Sequence, residues 1–305
     1  MNFFKKESTI NFMSLRYKAI IFSILLSIVS IVALYFNGLH LSLDFTGGTQ
    51  VRMKNLSLTT TELRDEVSKA FGSDVVVQRL GAGDEFIIRI GGKIRQDEQN
   101  NIKSFFIKNY GKNNFTGITF IGPQVGHALL INGVIATIIA LLTTMIYVMV
   151  RFEYRFGFSA MLALLHDPIV ILGCFALFRL EFDLNSLAAL LTILGYSLND
   201  TIVVYDRVKE NFIKNKRKNP DEVVNEAINQ TLSRTIMTSG LTLIVVLTLL
   251  IFGGDQLRNF ALSLSIGIVI GTYSSIYIAG SIAVMLGLDR NALLPKNRDY
   301  LKHIP

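Results

Sequence analysis

One carboxylate lies inside an apolar stretch that is otherwise suited to the interior of a membrane. Asp200 is flanked by the apolar segments 187–194 and 202–204. An ionisable side chain at the centre of a membrane helix costs about 2.5–3.5 kcal/mol on insertion scales, and such residues usually face other helices or a hydrated cavity. Asp200 therefore either pairs with a basic residue and holds two helices together, or it gains and loses protons, or binds an ion, during transport.

Apolar runs of this length recur along the chain and predict a polytopic membrane protein. Half of the 305 residues are apolar, and a helix needs about 20 residues to cross the hydrocarbon core of a bilayer. The first run has no Ala-x-Ala-like cleavage site, so we expect an uncleaved helix rather than a signal peptide. We predict six transmembrane helices, at residues 19–36, 129–150, 157–178, 187–205, 236–252 and 261–286.

The distribution of Lys and Arg predicts how these helices are oriented. Basic residues cluster in the segments 151–155 and 207–218 and in the C-terminal tail, whereas the segments on the opposite side carry few. The positive-inside rule then places both termini in the cytoplasm. We expect the basic loop to contact membrane lipids rather than nucleic acid. The predicted organisation is a cytoplasmic tail (1–18), an extracytoplasmic domain (38–127), a five-helix membrane domain (128–290) with a cytoplasmic loop (206–235), and a second cytoplasmic tail (291–305).

The sequence contains no pattern typical of a cofactor site or a catalytic centre. The single cysteine, Cys174, lies in an apolar segment, and the four histidines are scattered without metal-ligand spacing. No phosphate-binding glycine loop is present. A serine hydrolase built on Ser197 or Ser186 with His166 would need a nucleophile motif and an oxyanion loop, and neither accompanies them. We therefore expect no enzyme activity, no metal and no cofactor, and energy from an ion gradient or from a partner's ATPase.

Short alternating and β-branched runs replace the long apolar pattern between residues 38 and 127. The spacing of Thr59 and Glu62 resembles a capping box at the start of a helix. The order of the predicted elements, βαββαβ, matches the ferredoxin-like α+β fold. The strands are predicted at residues 42–54, 75–80, 85–90 and 117–121, and the helices at residues 60–71 and 97–110.

Polar residues near Asp200 could supply the groups that a proton-coupled switch requires. Asn219 and Pro220 begin a predicted surface helix, and Arg234 lies where this helix enters the next span. Arg234 either snorkels to the interface or faces Asp200, which lies roughly 9 Å inside the cytoplasmic end of its helix at about 1.5 Å per residue. An arginine moving toward or away from a buried carboxyl group would change its proton affinity. Two further polar residues flank Asp200, namely Asn199 and Thr201.

A second polar group interrupts the preceding apolar run near its middle. His166 and Asp167 come directly before Pro168. A proline inside a helix removes a backbone hydrogen bond, and the freed groups need polar or hydrated surroundings in a membrane. His166 and Asp167 either satisfy this kink and each other, or they extend a path for protons. The sequence leaves both interpretations open.

Glycine and other small residues recur in two settings. Small residues at every fourth position of the last span predict close helix packing, and they include Gly267, Gly271 and Ser275. Two glycine-rich loops bracket the segment 38–127, and their glycines permit unusual dihedrals and close approach. We expect rigid turns there, with a hinge as the second hypothesis. The loop residues concerned are Gly47, Gly48, Gly122, Pro123 and Gly126.

Five stretches, in order along the chain, resemble the signature sequences of the SecF family. These proteins are auxiliary subunits of bacterial protein translocation and are related to the resistance-nodulation-division (RND) exporters. The resemblance covers nearly the whole chain, and its most specific part is the Asn-Asp-Thr block around Asp200. The stretches are Asp-Phe-Thr-Gly-Gly-Thr (44–49), Gly-Pro-Gln-Val-Gly (122–126), Gly-Tyr-Ser-Leu-Asn-Asp-Thr-Ile-Val-Val-Tyr-Asp-Arg-Val-Lys-Glu-Asn (195–211), Arg-Thr-Ile-Met-Thr-Ser (234–239) and Gly-Thr-Tyr-Ser-Ser-Ile (271–276).

The resemblance implies partners, a location and an energy source. It implies a heterodimer with SecD in the bacterial inner membrane, association with the SecYEG channel, sometimes with YajC, and contact with translocating unfolded protein. It also implies that the proton-motive force drives late stages of export, with Asp200 and Arg234 at the positions that serve proton conduction. The alternatives are an RND-type exporter subunit for small molecules or lipids, which would need a larger external region, and a purely structural scaffold.

Overall fold

The computed structural model describes residues 10–56, 58–72, 75–80, 85–91, 99–214 and 218–289. The chain forms two compact units, of which one contains residues 40–136 and 181–187 and the other contains the rest of the described chain. The helices and strands in chain order are α1 (Arg16–Asn37), β1 (His40–Leu41), α2 (Leu43–Thr46), β2 (Gly48–Lys54), α3 (Thr60–Phe71), β3 (Val75–Leu80), β4 (Glu85–Ile90), α4 (Gln99–Tyr110), β5 (Phe115–Ile121), α5 (Pro123–Arg151), α6 (Tyr154–Leu177), β6 (Glu181–Phe182), α7 (Leu184–Lys214), α8 (Pro220–Phe252), α9 (Asp255–Tyr273) and α10 (Gly280–Met285).

Six helical segments in the described chain are long and apolar enough to cross a membrane. They are α1 with the turn before it, α5, α6, α7, α8 and the pair α9–α10, which a π-helical turn at Ser274–Ala279 joins. The predicted fold class, six transmembrane helices with an α+β domain between the first two, is confirmed. The helices extend beyond the apolar runs because a helix continues into polar sequence until a cap or a breaker ends it.

Helix α8 differs from the expectation of a surface helix that leads into a separate span. It runs without interruption from Pro220 to Phe252, and Asn219 is its N-cap residue. The sequence places no glycine or proline between Pro220 and Gly240, so nothing local breaks the helix where the polar segment meets the apolar one. Arg234 therefore lies in the middle of a single helix.

The segment between the first two membrane helices forms a ferredoxin-like domain. Its sheet has the strand order β3-β4-β2-β5, and every neighbouring pair is antiparallel. Strand β2 turns Val51 and Met53 into the core, where they pack with residues of α3 and α4 such as Leu63 and Phe106. This alternation follows from the two-residue period of a strand. The predicted capping box forms, with Thr59 and Glu62 bonded reciprocally at the start of α3.

The first predicted strand, at residues 42–54, is wrong in its N-terminal half. The hydroxyl group of Ser42 accepts a hydrogen bond from Asp44 N at 3.2 Å, and this cap starts the short helix α2. Gly47, with a φ of 71°, ends α2, so β2 begins only at Gly48. The last strand starts two positions earlier than residue 117, at Phe115. The first two residues of the helix predicted at 97–110 lie outside the described residues.

The membrane unit is held by packing between helices that are distant in sequence. Its core includes Phe156 of α6, Tyr205 of α7 and Val223 of α8. The hydroxyl group of Tyr205 lies 2.7 Å from Ser159 Oγ in this apolar surrounding. Such a buried polar pair satisfies both groups, and it fixes α7 against α6.

Candidate functional site

Asp200 lies in the interior of the membrane unit with little hydrogen bonding. The residue is 3% exposed. Its Oδ2 accepts one hydrogen bond in the described chain, from Ser239 Oγ on α8, and the O–O distance is long at 3.4 Å. Ser239 Oγ in turn lies 2.8 Å from Thr272 Oγ1 on α9 and 3.4 Å from the hydroxyl group of Tyr196 on α7. Since hydroxyl–oxygen bonds are usually 2.7–2.8 Å long, this contact compensates the charge of Asp200 weakly.

Arg234 interacts with Asp200 electrostatically but not by direct contact. The guanidinium group is close enough for a Coulomb interaction with this carboxyl group. Among the described residues the two form no ion pair or hydrogen bond, and Arg234 is exposed. A charge at this distance acts on Asp200 without fixing its position.

Asp167 is the second buried carboxylate of this unit, and it is fully bonded. The residue is 0% exposed. Its Oδ2 accepts hydrogen bonds from Ser197 Oγ on α7 at 2.7 Å and from Ser274 Oγ, in the π-helical turn, at 3.0 Å. His166 Nδ1 lies 3.1 Å from Asp167 Oδ1, and His166 Nε2 is buried without a partner in the described chain. Asp167 thus joins three helical segments through one carboxyl group.

The close approach of α9 to α7 depends on two glycines that the sequence singled out. A Cβ atom on Gly267 would lie 2.1 Å from Ile193 Cδ1, and a Cβ atom on Gly271 would lie 3.1 Å from Ser197 Cβ. The same atom on Gly271 would be 3.6 Å from Asp167 Oδ2. Ser275 is buried at the next position of this series, and its Oγ donates to Thr272 O. Small residues therefore bring α9 close enough for the contacts around Asp167.

The two polar neighbours of Asp200 in sequence have different environments. Thr201 is buried, and its hydroxyl group donates to the backbone oxygen of Ser197 at 3.1 Å, so it is satisfied within α7. Asn199 is exposed on another face of the same helix. Neither side chain forms a hydrogen bond with Asp200 in the described chain. The carboxyl group depends instead on α8.

The two glycine-rich loops contact each other within the ferredoxin unit. A Cβ atom on Gly126 would lie 2.8 Å from Phe45 O and 2.9 Å from Gly47 N, and one on Gly47 would lie 2.7 Å from Pro123 Cα. Gly48 has a φ of 135°, and its Cβ atom would lie 2.7 Å from Ile90 O. Three glycines thus permit backbone contacts that a side chain would block. Gly122, by contrast, has only one atom within reach of a Cβ, Phe120 Cε1 at 3.9 Å.

Several hydroxyl groups of this site were not identified from the sequence as site residues. Ser197 and Ser274 bind Asp167, and Ser239 binds Asp200. Each is a polar residue inside an apolar run, and each lies in one of the stretches that resemble the SecF signatures. Their partners come from other helices, so the pairing itself has no local signature. A group of three or more metal-ligating side chains is absent from the residues that the structure describes.

Two family models match the chain. One, described as the C-terminal region of the protein-export membrane proteins SecD and SecF, matches residues 102–289. The other, described as the SecD/SecF GG motif, matches residues 32–54 and therefore includes Gly47 and Gly48. The first match contains both buried carboxylates, and the second contains the loop that packs against Gly126.

Curated relatives show the same similarity along most of the chain. Protein translocase subunit SecF of Vibrio alginolyticus is 41% identical over 302 residues, which cover 95% of this chain and 94% of the relative. For SecF of Escherichia coli O157:H7 the identity is 39%, over 93% of this chain and 90% of the relative.

Solved structures agree with the sequence comparison. SecDF from Thermus thermophilus, a translocon-associated membrane protein, matches 92% of this chain with a TM-score of 0.84 and 35% identity, and this chain spans 39% of the SecDF chain. SecDF in a super-membrane-facing form matches with a TM-score of 0.70 and 34% identity. The chain belongs to the SecD/SecF family of protein-export membrane proteins.

Proposed function

We propose that this chain works with SecD and couples the proton-motive force to late stages of protein translocation through the SecYEG channel. Its family, its six spans and its relatives make it a multi-pass protein of the bacterial inner membrane. The observation that carries the proposal is Asp200, a buried carboxyl group with one long hydrogen bond and a nearby arginine on another helix. The association with SecD is supported by the likeness to SecDF.

The chemistry of such a group suits a proton-driven switch. A buried carboxylate that accepts few hydrogen bonds is poorly stabilised, because little offsets the loss of hydration of its charge. The protonated, neutral form does not carry this cost. Protonation would therefore release the attraction between Asp200 and Arg234, and deprotonation would restore it. Because the two residues lie on α7 and α8, a change of charge at Asp200 biases the spacing of these helices.

The remaining polar residues take supporting roles in this proposal. Asp167 holds α6 against α7 and the π-helical turn, and His166 orients this carboxyl group. His166 Nε2, which is buried without a partner in the described chain, is the ring nitrogen that could take part in proton exchange. Asn199 and Thr201 flank Asp200, and Thr201 is bonded to its own helix. The hydroxyl group of Ser197 donates to Asp167 and not to His166, so a serine nucleophile activated by this histidine has no support. We infer a transport role without catalytic chemistry.

The proposed orientation in the membrane places the proton site and the soluble domain relative to the proton gradient. Lys and Arg cluster at residues 151–155 and 207–218, which supports cytoplasmic termini and an extracytoplasmic ferredoxin-like domain in contact with unfolded protein. One proton crossing the membrane supplies about 2.3 kcal/mol per 100 mV. Moving a two-state element from 1:99 to 99:1 requires about 5.5 kcal/mol. At 100 mV one proton would bias the change, and three protons, which supply about 6.9 kcal/mol, would exceed this requirement.

An exporter of small molecules or lipids has less support. Such a subunit would need a large external porter region, whereas the domain between the first two spans is a single four-stranded ferredoxin-like unit. A scaffold that uses Asp200 only to join helices would require a firm partner for its carboxyl group, and the contact to Ser239 is long. We therefore propose proton-coupled protein export, with SecYEG and YajC as neighbouring components.

The decisive experiment replaces Asp200 by Asn in the chain assembled with SecD. We expect at least a tenfold loss of the export that depends on the proton-motive force, with an unchanged amount of the SecD complex, because Asn keeps the shape but exchanges no proton. The measurement is export of a model secretory protein into inner-membrane vesicles with and without an imposed proton gradient.

Asp206→Asn is the matched control. Asp206 lies on the same helix, is about half exposed, and faces Arg151 at 3.9 Å, so the same substitution there leaves coupling intact. Full gradient-dependent export in the Asp200→Asn protein would refute the proposal. Loss of the SecD complex in that variant would favour the scaffold instead.

A further inference from the structure

The start of α7 and the strand before it are bonded to residues 40–44, which precede them by more than a hundred positions. Strand β6, directly before α7, pairs in parallel with β1, with Glu181 opposite His40 and Phe182 opposite Leu41. Ser42 N donates to Phe182 O at 2.9 Å, which extends the pairing by one bond. The rings of Phe45 and Phe182 stack with their centroids 6.1 Å apart. Residues 181–187 accordingly form part of the ferredoxin unit.

Two carboxylates bind backbone amides at the start of α7. Asp183 Oδ1 accepts from Ser186 N at 2.7 Å and from Ser186 Oγ at 2.8 Å, which is a normal N-cap. Asp44 Oδ2 accepts from Leu184 N at 3.2 Å, and Asp44 lies in the short helix α2, just before Gly47 and Gly48. The first amides of a helix lack partners within the helix and favour negative charge. Asp44 therefore adds a bond that α7 could not supply for itself.

An arginine of the sheet provides the positive charge at this junction. Arg89 lies on β4, an inner strand of the ferredoxin sheet, and its Nη1 is 2.5 Å from Glu181 Oε2. The two side chains are only 19% and 18% exposed. Burial raises the pKa of Glu181, and Asp183 and Asp44 add to this, while the guanidinium group of Arg89 opposes it. Arg89 is thus the counter-charge for Glu181, which lies close to two other acids at the helix start.

We propose that Arg89 is a positioning residue for transport: through Glu181 it fastens the ferredoxin sheet to the helix that carries Asp200. Helix α7 is unbroken from Leu184 to Lys214, and a rigid helix transmits a displacement of its first turn along its length. A movement of the sheet then shifts Asp200, and a shift of α7 at Asp200 acts back on the sheet. The inference rests on the proposed function, since it supplies the link between proton site and soluble domain.

The test compares Arg89→Gln with Arg52→Gln in the chain assembled with SecD in lipid nanodiscs. Arg52 lies on the adjacent strand β2, two positions after Gln50, which is the residue opposite Arg89. Side chains two positions apart in a strand point to the same face, so Arg52 and Arg89 share one face of the sheet. It forms no ion pair in the part of the chain that the structure describes. We expect amide hydrogen exchange at residues 184–188 to accelerate at least tenfold in Arg89→Gln and less than twofold in Arg52→Gln.

The functional measurement separates transmission from simple stability. In Arg89→Gln we expect the export that depends on the proton gradient to fall at least fivefold. The export that does not depend on the gradient and the amount of the SecD complex should stay unchanged. The charge swap Arg89→Glu with Glu181→Arg restores the pair, and we expect it to recover at least half of that export; it also covers the case in which the single variant fails to assemble.

Three results would overturn the inference. They are unchanged exchange at residues 184–188 in Arg89→Gln, accelerated exchange with unchanged gradient-dependent export, and a charge swap that assembles without recovering export. The Asp200→Asn protein is assayed alongside. If it loses gradient dependence and Arg89→Gln keeps it, only the role of Arg89 fails; if Asp200→Asn keeps it, the proposed function fails as well.

Discussion

Two carboxylates of the membrane unit share burial but differ in bonding. Asp167 is 0% exposed and has polar partners at 2.7, 3.0 and 3.1 Å. Asp200 is 3% exposed and accepts a single bond at 3.4 Å in the described chain. Burial alone therefore does not distinguish an anchor from a switch. The number and length of the hydrogen bonds do, because they determine how firmly each group is committed to its present partners.

The difference has a physical cause in the helices that surround each group. Gly271 lets α9 approach α7 so closely that hydroxyl groups from two elements reach Asp167. Among the described residues Asp200 accepts a hydrogen bond only from Ser239 of α8, and Arg234 of the same helix acts on it electrostatically without an ion pair. Close packing accompanies the firm bonding of Asp167, whereas the single long bond in the described chain leaves Asp200 free for the switch that we propose.

The largest expected effect is on stability, from Asp167→Ala. This change removes the partner of Ser197 Oγ and of His166 Nδ1, while Ser274 Oγ keeps its bond to Gly271 O at 3.1 Å. Each buried unsatisfied group costs about 1–3 kcal/mol. We expect the free energy of unfolding to fall by roughly 3–5 kcal/mol, against less than about 1 kcal/mol for Asp200→Asn. Thermal denaturation of the purified chain in detergent, followed by circular dichroism, measures both. Equal losses would erase the distinction between anchor and switch.

A smaller effect is expected from Gly271→Ala. The added methyl group would press on Ser197 Cβ at 3.1 Å and Ser197 Oγ at 3.2 Å, and overpacking of this kind costs about 1–3 kcal/mol. Gly195 on α7 has open space around its Cβ position, so Gly195→Ala is the control and should stabilise by up to about 1 kcal/mol. The same denaturation assay applies, and a stabilised Gly271→Ala protein would show that the contact is not tight.

The smallest effect on stability comes from Ser239→Ala, for which Ser197→Ala is the matched comparison. Ser197→Ala removes a 2.7 Å bond to Asp167, and we expect a loss of about 1–3 kcal/mol. Ser239→Ala removes the 3.4 Å bond to Asp200 and the 2.8 Å contact with Thr272 Oγ1. Because Thr272 Oγ1 keeps its bond to Ile268 O at 2.7 Å, we expect a loss of less than about 1 kcal/mol. Both proteins are compared by thermal denaturation under identical conditions. A larger loss from Ser239→Ala than from Ser197→Ala would mean that Asp200 is the better anchored group.

Much of the architecture was predictable because its causes are local. The apolar runs, the capping box of Thr59 and Glu62, and the small residues at Gly267 and Gly271 each have a signature in the sequence. The short helix α2 was missed because its cap, Ser42, lies inside a run that alternates like a strand. The pairing of β1 with β6 involves two residues on each side, which is too short for any periodic pattern.

The candidate site was predictable only in part. Asp200 was recognised because a charge in an apolar run is rare, whereas its partner Ser239 depends on how α7 and α8 pack. The same holds for Asp167, whose acceptor role depends on hydroxyl groups 30 and 107 residues away. Orientation in the membrane and the roles of the glycine loops as hinges stay predictions.

The π-helical turn in the last span explains how a four-residue repeat stays buried. In an ordinary α-helix, with about 3.6 residues per turn, positions four apart advance by roughly 40° at each step and spiral off one side. A turn with i→i+5 bonding is wider and rotates less per residue, so the stretch Ser274–Ala279 unwinds the accumulated drift. Ser275, Ala279 and Ala283 consequently remain fully covered, in continuation of Gly267 and Gly271. A one-residue deletion in this turn would rotate α10 about the helix axis and expose Ala283.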